Sequence, residues 1–529
     1  MNTSHLSKLI LSSAAFAFLA IPKHGNAASG TWIGGGTSDF YSNTTNWSGG
    51  IVASGTDATA TLPASNSIYL DANQTIGNIT ASMSAAYWYV DFHGSTSDIL
   101  TFATSSGTPT MNLANYYFGR FDWGTMTIAG NQGLNIGTGY NTLVLQPSLS
   151  WTATGTLAYY QPGSDPNNVF AKGNNVLPST MDLNVTGGSA GSLTEINGGT
   201  TQTIGALTGN SLDYIATYSS GSGLRADPGG TNGTTSAATL QIGNTNSSGT
   251  YGGTLGQLSS SDTSDASAEA INVAKLGTGT QTLSGIINST GSLTVSSGIM
   301  QLSGATLDVT GATNVNSGGT LEITGIDTET AGSEGRIFVN GGGTITGMGT
   351  LKLSDTTNSL TGLSIFGNVS PGVGNTIGTL TFDRTNSDRA AVAFETGGSF
   401  TMKLGLGLTS DEIAFTDAQA SDVFFNNNTI NFDDLTNGLL GDGQYVLFSA
   451  DSANAFDEGM YSALRTNGSG YVTAGLTIGT GLSAYPGSNL QLVGNNIVLN
   501  VVPEPNTWGL IVWGVGMLGV WQRTRRRRR

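Results

Sequence analysis

Three short segments of this chain align without gaps: "STGSLTV" (Ser289–Val295), "SGATLDV" (Ser303–Val309) and "SGGTLEI" (Ser317–Ile323), each 14 residues after the last. Each ends apolar–polar–apolar, as in Leu293-Thr294-Val295, Leu307-Asp308-Val309 and Leu321-Glu322-Ile323. Alternation with a period of two puts both aliphatics on one face of a strand and the polar residue on the other. Gly291, Gly304 and Gly318 precede the strands, where the backbone must turn, and looser echoes follow at Gly341–Gly347 and Gly347–Leu353. A unit this small cannot bury its own apolar face, so unit must stack on unit to enclose a continuous core. The expected fold is all-β, a right-handed parallel β-helix or solenoid. Asn, Ser and Thr suit its turns because their side chains bond nearby backbone. An antiparallel sandwich, or a string of them, is the rival. The regular unit and the scarcity of two-residue hairpin signals favour the helix.

Composition agrees with many short strands and excludes several classes. The 529 residues include 78 Gly and 12 Pro, with only 10% charged side chains. Disorder usually accompanies high charge and few aliphatics, whereas 38% of this chain is hydrophobic and placed in alternating runs. No Cys is present, which removes disulfides, thiolate nucleophiles and Cys-ligated metals. The formal charge is -16. Setting aside the two ends leaves ten basic against 33 acidic residues, so the body is more acidic still. Such a surface repels nucleic-acid phosphates.

Both ends read as addresses. Lys8 is followed by an apolar run from Leu9 to Ile21 and then by small residues around Ala27 and Ala28, the layout of a secretory signal peptide with cleavage near Ala27 or Ala28. At the other end, Trp508 to Trp521 carries no charge and is followed by Arg523 and Arg525, Arg526, Arg527, Arg528 and Arg529. Trp508, Trp513 and Trp521 suit a membrane interface, and the arginines mark a cytoplasmic side. The segment is expected to act as a short transmembrane stop-transfer anchor. Before it lies Pro503-Glu504-Pro505, which two prolines keep extended. This order resembles the PEP-CTERM sorting signal of Gram-negative bacteria. The resemblance implies recognition by a membrane transpeptidase, exosortase, and delivery to the cell surface or extracellular matrix. It covers only the last 29 residues, and a plain tail anchor is the alternative.

Two further resemblances concern the body. Lys275–Leu307 looks like the autotransporter-associated β-strand repeat, through Gly277-x-Gly279-Thr280, Leu283-Ser284-Gly285, Leu293-x-Val295, Gly298 and Leu302. Gly30–Gly50, with Trp32, a glycine run and Asn46-Trp47, resembles the opening of many such proteins, where large aromatics cover the open end of the first coil. Gly367–Phe382 resembles the segment that closes autotransporter-like passengers. Too little chain follows residue 368 for an outer-membrane barrel of about a dozen strands plus the tail. The expected division is a signal peptide at 1–28, a β-helix body at 29–270, a repeat-bearing solenoid at 271–367, a capping β module at 368–500 and a sorting signal at 501–529.

No residue set points to a reaction. Of three histidines, His5 and His24 fall in the leader, so a Ser–His–Asp triad would have to use His93, with Asp91 and Ser95 beside it in sequence. Paired carboxylates for sugar hydrolysis are offered by Asp433 with Asp434 and by Asp262 with Asp265, but adjacent strand residues diverge and Ser259–Ala270 reads as a solvated loop. Acidic turns offer oxygen ligands to calcium, yet no GGxGxDxUx array is present. The glycine strings lack the Lys-Ser/Thr of a phosphate loop. Trp88 and Trp123, in aromatic clusters, suit either sugar stacking or a β core. No catalytic, cofactor-binding or metal-binding residue is therefore assigned. The expectation is a non-enzymatic exported protein, adhesive or structural, in contact with exosortase, with the membrane before processing, and with polysaccharide. A polysaccharide-active β-helix enzyme or a sugar-binding module is the alternative.

Overall fold

The computed structural model describes residues 27–502 and 507–526 apart from short internal segments, the longest being 219–235 and 257–270. Its strands pair almost entirely in parallel, each with a strand one coil further along the chain. Leu293–Val295 pairs with Thr313–Val315, which pairs with Ile337–Val339, then Leu363–Ile365, Val392–Phe394 and Val423–Phe425. These belong to a nine-stranded sheet, called here the second sheet. A third sheet, also of nine strands, runs from Gly249–Tyr251 to Leu476–Ile478. One long sheet begins at Asn66–Leu70 and stays parallel as far as Gly443–Ala450. An 11-stranded sheet covers the N-terminal coils from Gly30–Thr31 to Leu207–Thr208. The chain thus winds as a parallel β-helix, with three strands per coil through its C-terminal half.

The 14-residue spacing turns out not to be the stacking period. Leu293–Val295, Thr306–Val309 and Gly319–Ile323 lie in the second, long and third sheets respectively. Partners one coil apart are 20 residues apart at Leu293 and Thr313, 21 at Gly298 and Gly319, 22 at Thr306 and Thr328, and 24 at Thr320 and Thr344. The true repeat is a strand plus a corner, about seven residues at this strand rise. Fourteen residues carry the chain past two corners and so return the same pattern on a different face.

Inward positions are aliphatic because they have no water. Leu293, Val295, Leu321 and Ile323 are fully buried, while Thr294 between the first pair stays half-buried on the outer face. The corners need glycine where coils touch. Gly347 has φ 129°, and a Cβ there would stand 1.9 Å from the Ile323 carbonyl oxygen of the preceding coil. Gly298, at φ 64°, would likewise bring a Cβ within 2.3 Å of the Gly277 carbonyl oxygen. No side chain fits either position without moving backbone.

The N-terminal end of the coil stack is closed by aromatics, and the C-terminal coils have an aromatic core. At the N-terminal end Trp32 packs edge-on against Trp47, ring centroids 5.2 Å apart, and Tyr41 packs against Trp47 at 5.0 Å. The expected aromatic cover is therefore present, with both tryptophans 1% exposed. Asn46 holds the loop over them: its Oδ1 accepts from Gly36 N at 2.7 Å and its Nδ2 donates to the carbonyls of Ser38 and Phe40. At the other end phenylalanines fill the coils. Phe425 stacks on Phe394 at 5.1 Å and meets Phe448 and Phe456 edge-on or tilted.

The boundaries expected at residues 271 and 368 have no counterpart in the strand pairing. Ala238–Ile242 pairs in parallel with Ile271–Lys275, and Thr344–Gly347 with Asn368–Pro371. The pattern changes only beyond Gly443–Ala450, which pairs antiparallel with Asn496–Val501, itself antiparallel to Asn489–Val493. That antiparallel turn ends the long sheet without leaving a parallel edge to recruit another strand.

The tail forms the helix expected of it, Thr507–Arg526. The transmembrane expectation is corrected: no described helix is long and apolar enough to cross a membrane. The uncharged stretch from Trp508 to Trp521 is 14 residues, four of them glycine, and rises about 21 Å against a hydrocarbon core of about 30 Å. Val515, Met517, Leu518, Val520 and Trp521 are all more than half exposed. Arg525 lies over the Trp521 ring at 4.4 Å.

Replacing Phe425 by Ala removes a fully buried ring shared by several neighbours and is expected to cost about 3–5 kcal/mol. Thr294→Ala, on the outer face, is expected to stay within about 0.5 kcal/mol. Denaturant unfolding of both variants checks this, and equal midpoints would contradict the placement of the phenylalanine core.

Candidate functional site

The sorting motif, Pro503, Glu504 and Pro505, lies outside the described residues, as do Arg527, Arg528 and Arg529. Arg523 and Arg525 stand on the last turns of the tail helix with Trp521; Trp508, Trp513 and Arg526 are placed on it by backbone alone. At the other terminus Ala27 is exposed and Ala28 is tied to the body by a two-way backbone bridge, Ala28 N to Ser54 O and Ser54 N to Ala28 O, each 2.9 Å.

Among the described residues, Ser95 and Asp434 are taken up in local hydrogen bonds. The Ser95 hydroxyl pairs with the Ser97 hydroxyl at 3.0 Å, and the Ser95 N–H donates to Asp98 Oδ2 at 2.7 Å. His93 is half-buried and stands in register between Tyr69 and Asp122 on the long sheet. Asp433 is exposed at the end of strand Asn428–Asp434, whereas Asp434 is taken up by its own turn. There Oδ1 accepts from the Thr436 N–H at 2.7 Å and the Thr436 hydroxyl at 2.6 Å, while Oδ2 accepts from Gly438 N at 2.8 Å. Such a carboxylate caps a turn rather than activating water. Asp262, Asp265, Trp88 and Trp123 lie outside the described residues. Among the described residues no group of three His, Cys, Asp or Glu side chains is placed to hold a metal ion.

What the sequence did not disclose is a set of buried charges. Lys275 occupies an inward position of the second sheet, in register with Ile242 and Val295. Its ammonium donates to the carbonyls of Leu276 and Gly277, and burial pushes its pKa down to about 8. Lys403 lies between the inward Met402 and Leu404 on the outer side of the third sheet, yet it is covered and pairs with Asp411 at 2.9 Å, both side chains nearly inaccessible. Asp411 also accepts from Gly378 N and Lys403 N, each 2.9 Å. Burial nonetheless raises the Asp411 carboxyl above the ordinary range, with the lysine pulling the other way. Arg384, fully buried, is paired with Asp422. Asp213 caps a corner, accepting from Ser192 N and Ser192 Oγ, each at 3.0 Å. Lys275, Lys403, Asp411 and Asp213 each satisfy backbone donors or acceptors where the chain turns between sheets. A lysine at an apolar position of an alternating run, as in "INVAK" (Ile271–Lys275), was the available signal.

Asp327 is a further buried carboxylate, with one of its oxygens unpaired. Its Oδ1 accepts from Ala305 N at 2.6 Å, its Oδ2 is buried without a hydrogen-bond partner, and burial pushes its pKa up to about 6.

No family model matches this chain, and no curated protein matches it. Among solved structures it is similar to the crystal structure of the Haemophilus influenzae Hap adhesin, at a TM-score of 0.18 and 10% identity. The match covers 86% of this chain and spans 65% of the length of that one. The β-helical architecture described above rests on the strand pairing itself.

The folded state holds the Asp327 proton more tightly than the unfolded chain does, whose carboxyl titrates near 3.8. Stability from this group is therefore fullest below that value and falls as pH rises through about 6. Asp327→Asn keeps the acceptor for Ala305 N–H and removes the charge. Urea midpoints between pH 4 and pH 7 are expected to decline less steeply in the variant than in the wild type, and parallel profiles would show that Asp327 is not the group responsible.

Proposed function

We propose that this chain is a non-enzymatic protein of the cell surface or extracellular matrix, an adhesive or structural β-helix. The observation that supports this best is the continuous parallel ladder, closed at both ends, whose outer positions are mainly hydroxyl and amide side chains. A rigid face of that kind repeats the same weak contact coil after coil, and multivalency makes such contacts useful. In the same reading the leader directs export with cleavage near Ala27 or Ala28, and the C-terminal segment is a sorting signal of PEP-CTERM type processed by an exosortase-type transpeptidase. The apolar helix and its arginines then serve recognition and retention at the membrane surface before processing, since the uncharged stretch is short for a relaxed span. The turn-capping role of Asp434 and the pairing of the Ser95 hydroxyl with that of Ser97 favour this reading over a polysaccharide-cleaving enzyme.

The test is the mass of the C-terminal peptide of the protein isolated from its own cells, together with fractionation of membrane, surface and matrix. The expected result is a chain ending near Pro503–Pro505 in the surface or matrix fraction. A mature protein that retains Arg529 in the inner membrane would defeat both the sorting and the surface role.

A further inference from the structure

The outer face of the third sheet carries two long rows made mainly of hydroxyl and amide side chains. Thr320, Thr344, Asn368, Ser399, Thr429 and Thr477 follow one another in register along it, one per coil, with Ile299 before them. Two residues further along each strand runs a second row, in which Gln301, Glu322, Thr346 and Ser370 are consecutive partners. Neighbours within a row are about 4.8 Å apart, and the rows are about 6.6 Å apart. Nine strands make the face about 38 Å long. Beyond these two rows Lys403 stands in register with the exposed Asp433 on the same face, as Lys352 does with Asp383 on the long sheet, while the second sheet presents Phe338 and Phe424.

We propose that this face of the third sheet binds an extended, neutral, β-linked polysaccharide, one strand spacing serving about one sugar residue. The proposal names a ligand for the adhesive role above and rests on that reading. Charge selects the occupant. The chain carries a net charge of -16, which repels polyanions, yet the two rows named here hold one ionisable side chain. That group, Glu322, is 7% exposed and accepts a bond from Gln301 Nε2. Hydroxyl and amide groups both donate and accept, as sugar hydroxyls do, so either partner can supply the proton. The rows are also held in place beforehand: Thr282 Oγ1 donates to Gln301 Oε1 at 2.8 Å, and Ser399 Oγ and Thr401 Oγ1 each donate to Asn368 Oδ1 at 3.2 Å. Fixed side chains lose little entropy on binding. A stiff extended glycan gives up little as well, so contacts along the face add.

The full mature chain is incubated with insoluble cellulose and with chitin, and depletion from solution is measured against polygalacturonate as an acidic control. Saturable depletion by at least one neutral glycan, insensitive to added salt, is expected. The double variant Thr320→Lys/Thr344→Lys, matched to wild type in thermal midpoint, is expected to weaken it about tenfold through lost multivalency. Thr294→Lys, on the second sheet, is expected to leave it unchanged. No depletion by either neutral glycan, depletion by polygalacturonate alone, or equal loss in the Thr294 variant overturns the proposal. So does a self-association that the third-sheet variant abolishes, seen by sedimentation, since the face would then be covered by a second copy. Fractionation of the native protein reports separately on the surface role, so each can fail without the other.

Discussion

Each coil is held to the next by parallel backbone hydrogen bonds, and neither half of that contact stands alone. A strand of three to five residues has too little apolar area to stay ordered by itself, and a parallel pair cannot be joined by a tight turn. Winding resolves both difficulties. The chain reaches its parallel partner by passing through the other sheets, and the aliphatics that all the sheets turn inward, such as Leu293, Leu307 and Leu321, meet in one core. Ladder and core are therefore the same cooperative structure. This is why the ladder continues across long sequence separations: Tyr214 pairs with Thr254, and Thr254 with Ile286.

That solution creates two costs, and the distinctive residues of the chain sit where they arise. A stack has two open ends, each exposing backbone groups and core side chains. The Trp32–Trp47–Tyr41 cluster with Asn46 covers one, and the antiparallel strands over the phenylalanine core cover the other. A coil also has corners, where the backbone leaves one sheet before entering the next and its polar groups have no ladder partner. Glycine meets the steric side of this problem. Buried Lys275, Lys403, Asp411 and Asp213 meet the hydrogen-bonding side, because a charged group bonded to backbone satisfies several orphans at once. In an enzyme such buried charges would invite a catalytic reading. Here they face corner backbone and one another.

The fold class was legible because alternation and glycine spacing report directly on which side of a strand is dry. The parallel β-helix and the aromatic N-terminal cover follow from Leu293-Thr294-Val295 and from Trp32 and Trp47. The coil length was not legible, because the motif marks a strand and its corner, and every corner of a three-sided coil looks alike to the sequence. Only the pairing of Leu293 with Thr313 distinguishes one coil from two sides of one. Strand pairing runs unbroken across residue 368, where larger core residues such as Phe394 and Phe400 change the composition of the coils without changing their topology. The helix at Thr507–Arg526 was legible, but its capacity to span was overestimated by counting uncharged residues and not weighing the glycines among them.

The same geometry bears on function. Catalysis asks for a few groups converging on one point, held in a recess that excludes water. A solenoid with short corners distributes its groups along lines, and the outer rows of the third sheet extend this to nine consecutive strands. A line of donors and acceptors made mainly of hydroxyls and amides does not converge on one reacting atom, but it can match a partner that repeats at a similar interval. Specificity then comes from spacing and from the exclusion of charge, and strength comes from the number of coils engaged. The constraint that makes each coil depend on its neighbour therefore also makes the surface useful only as a whole.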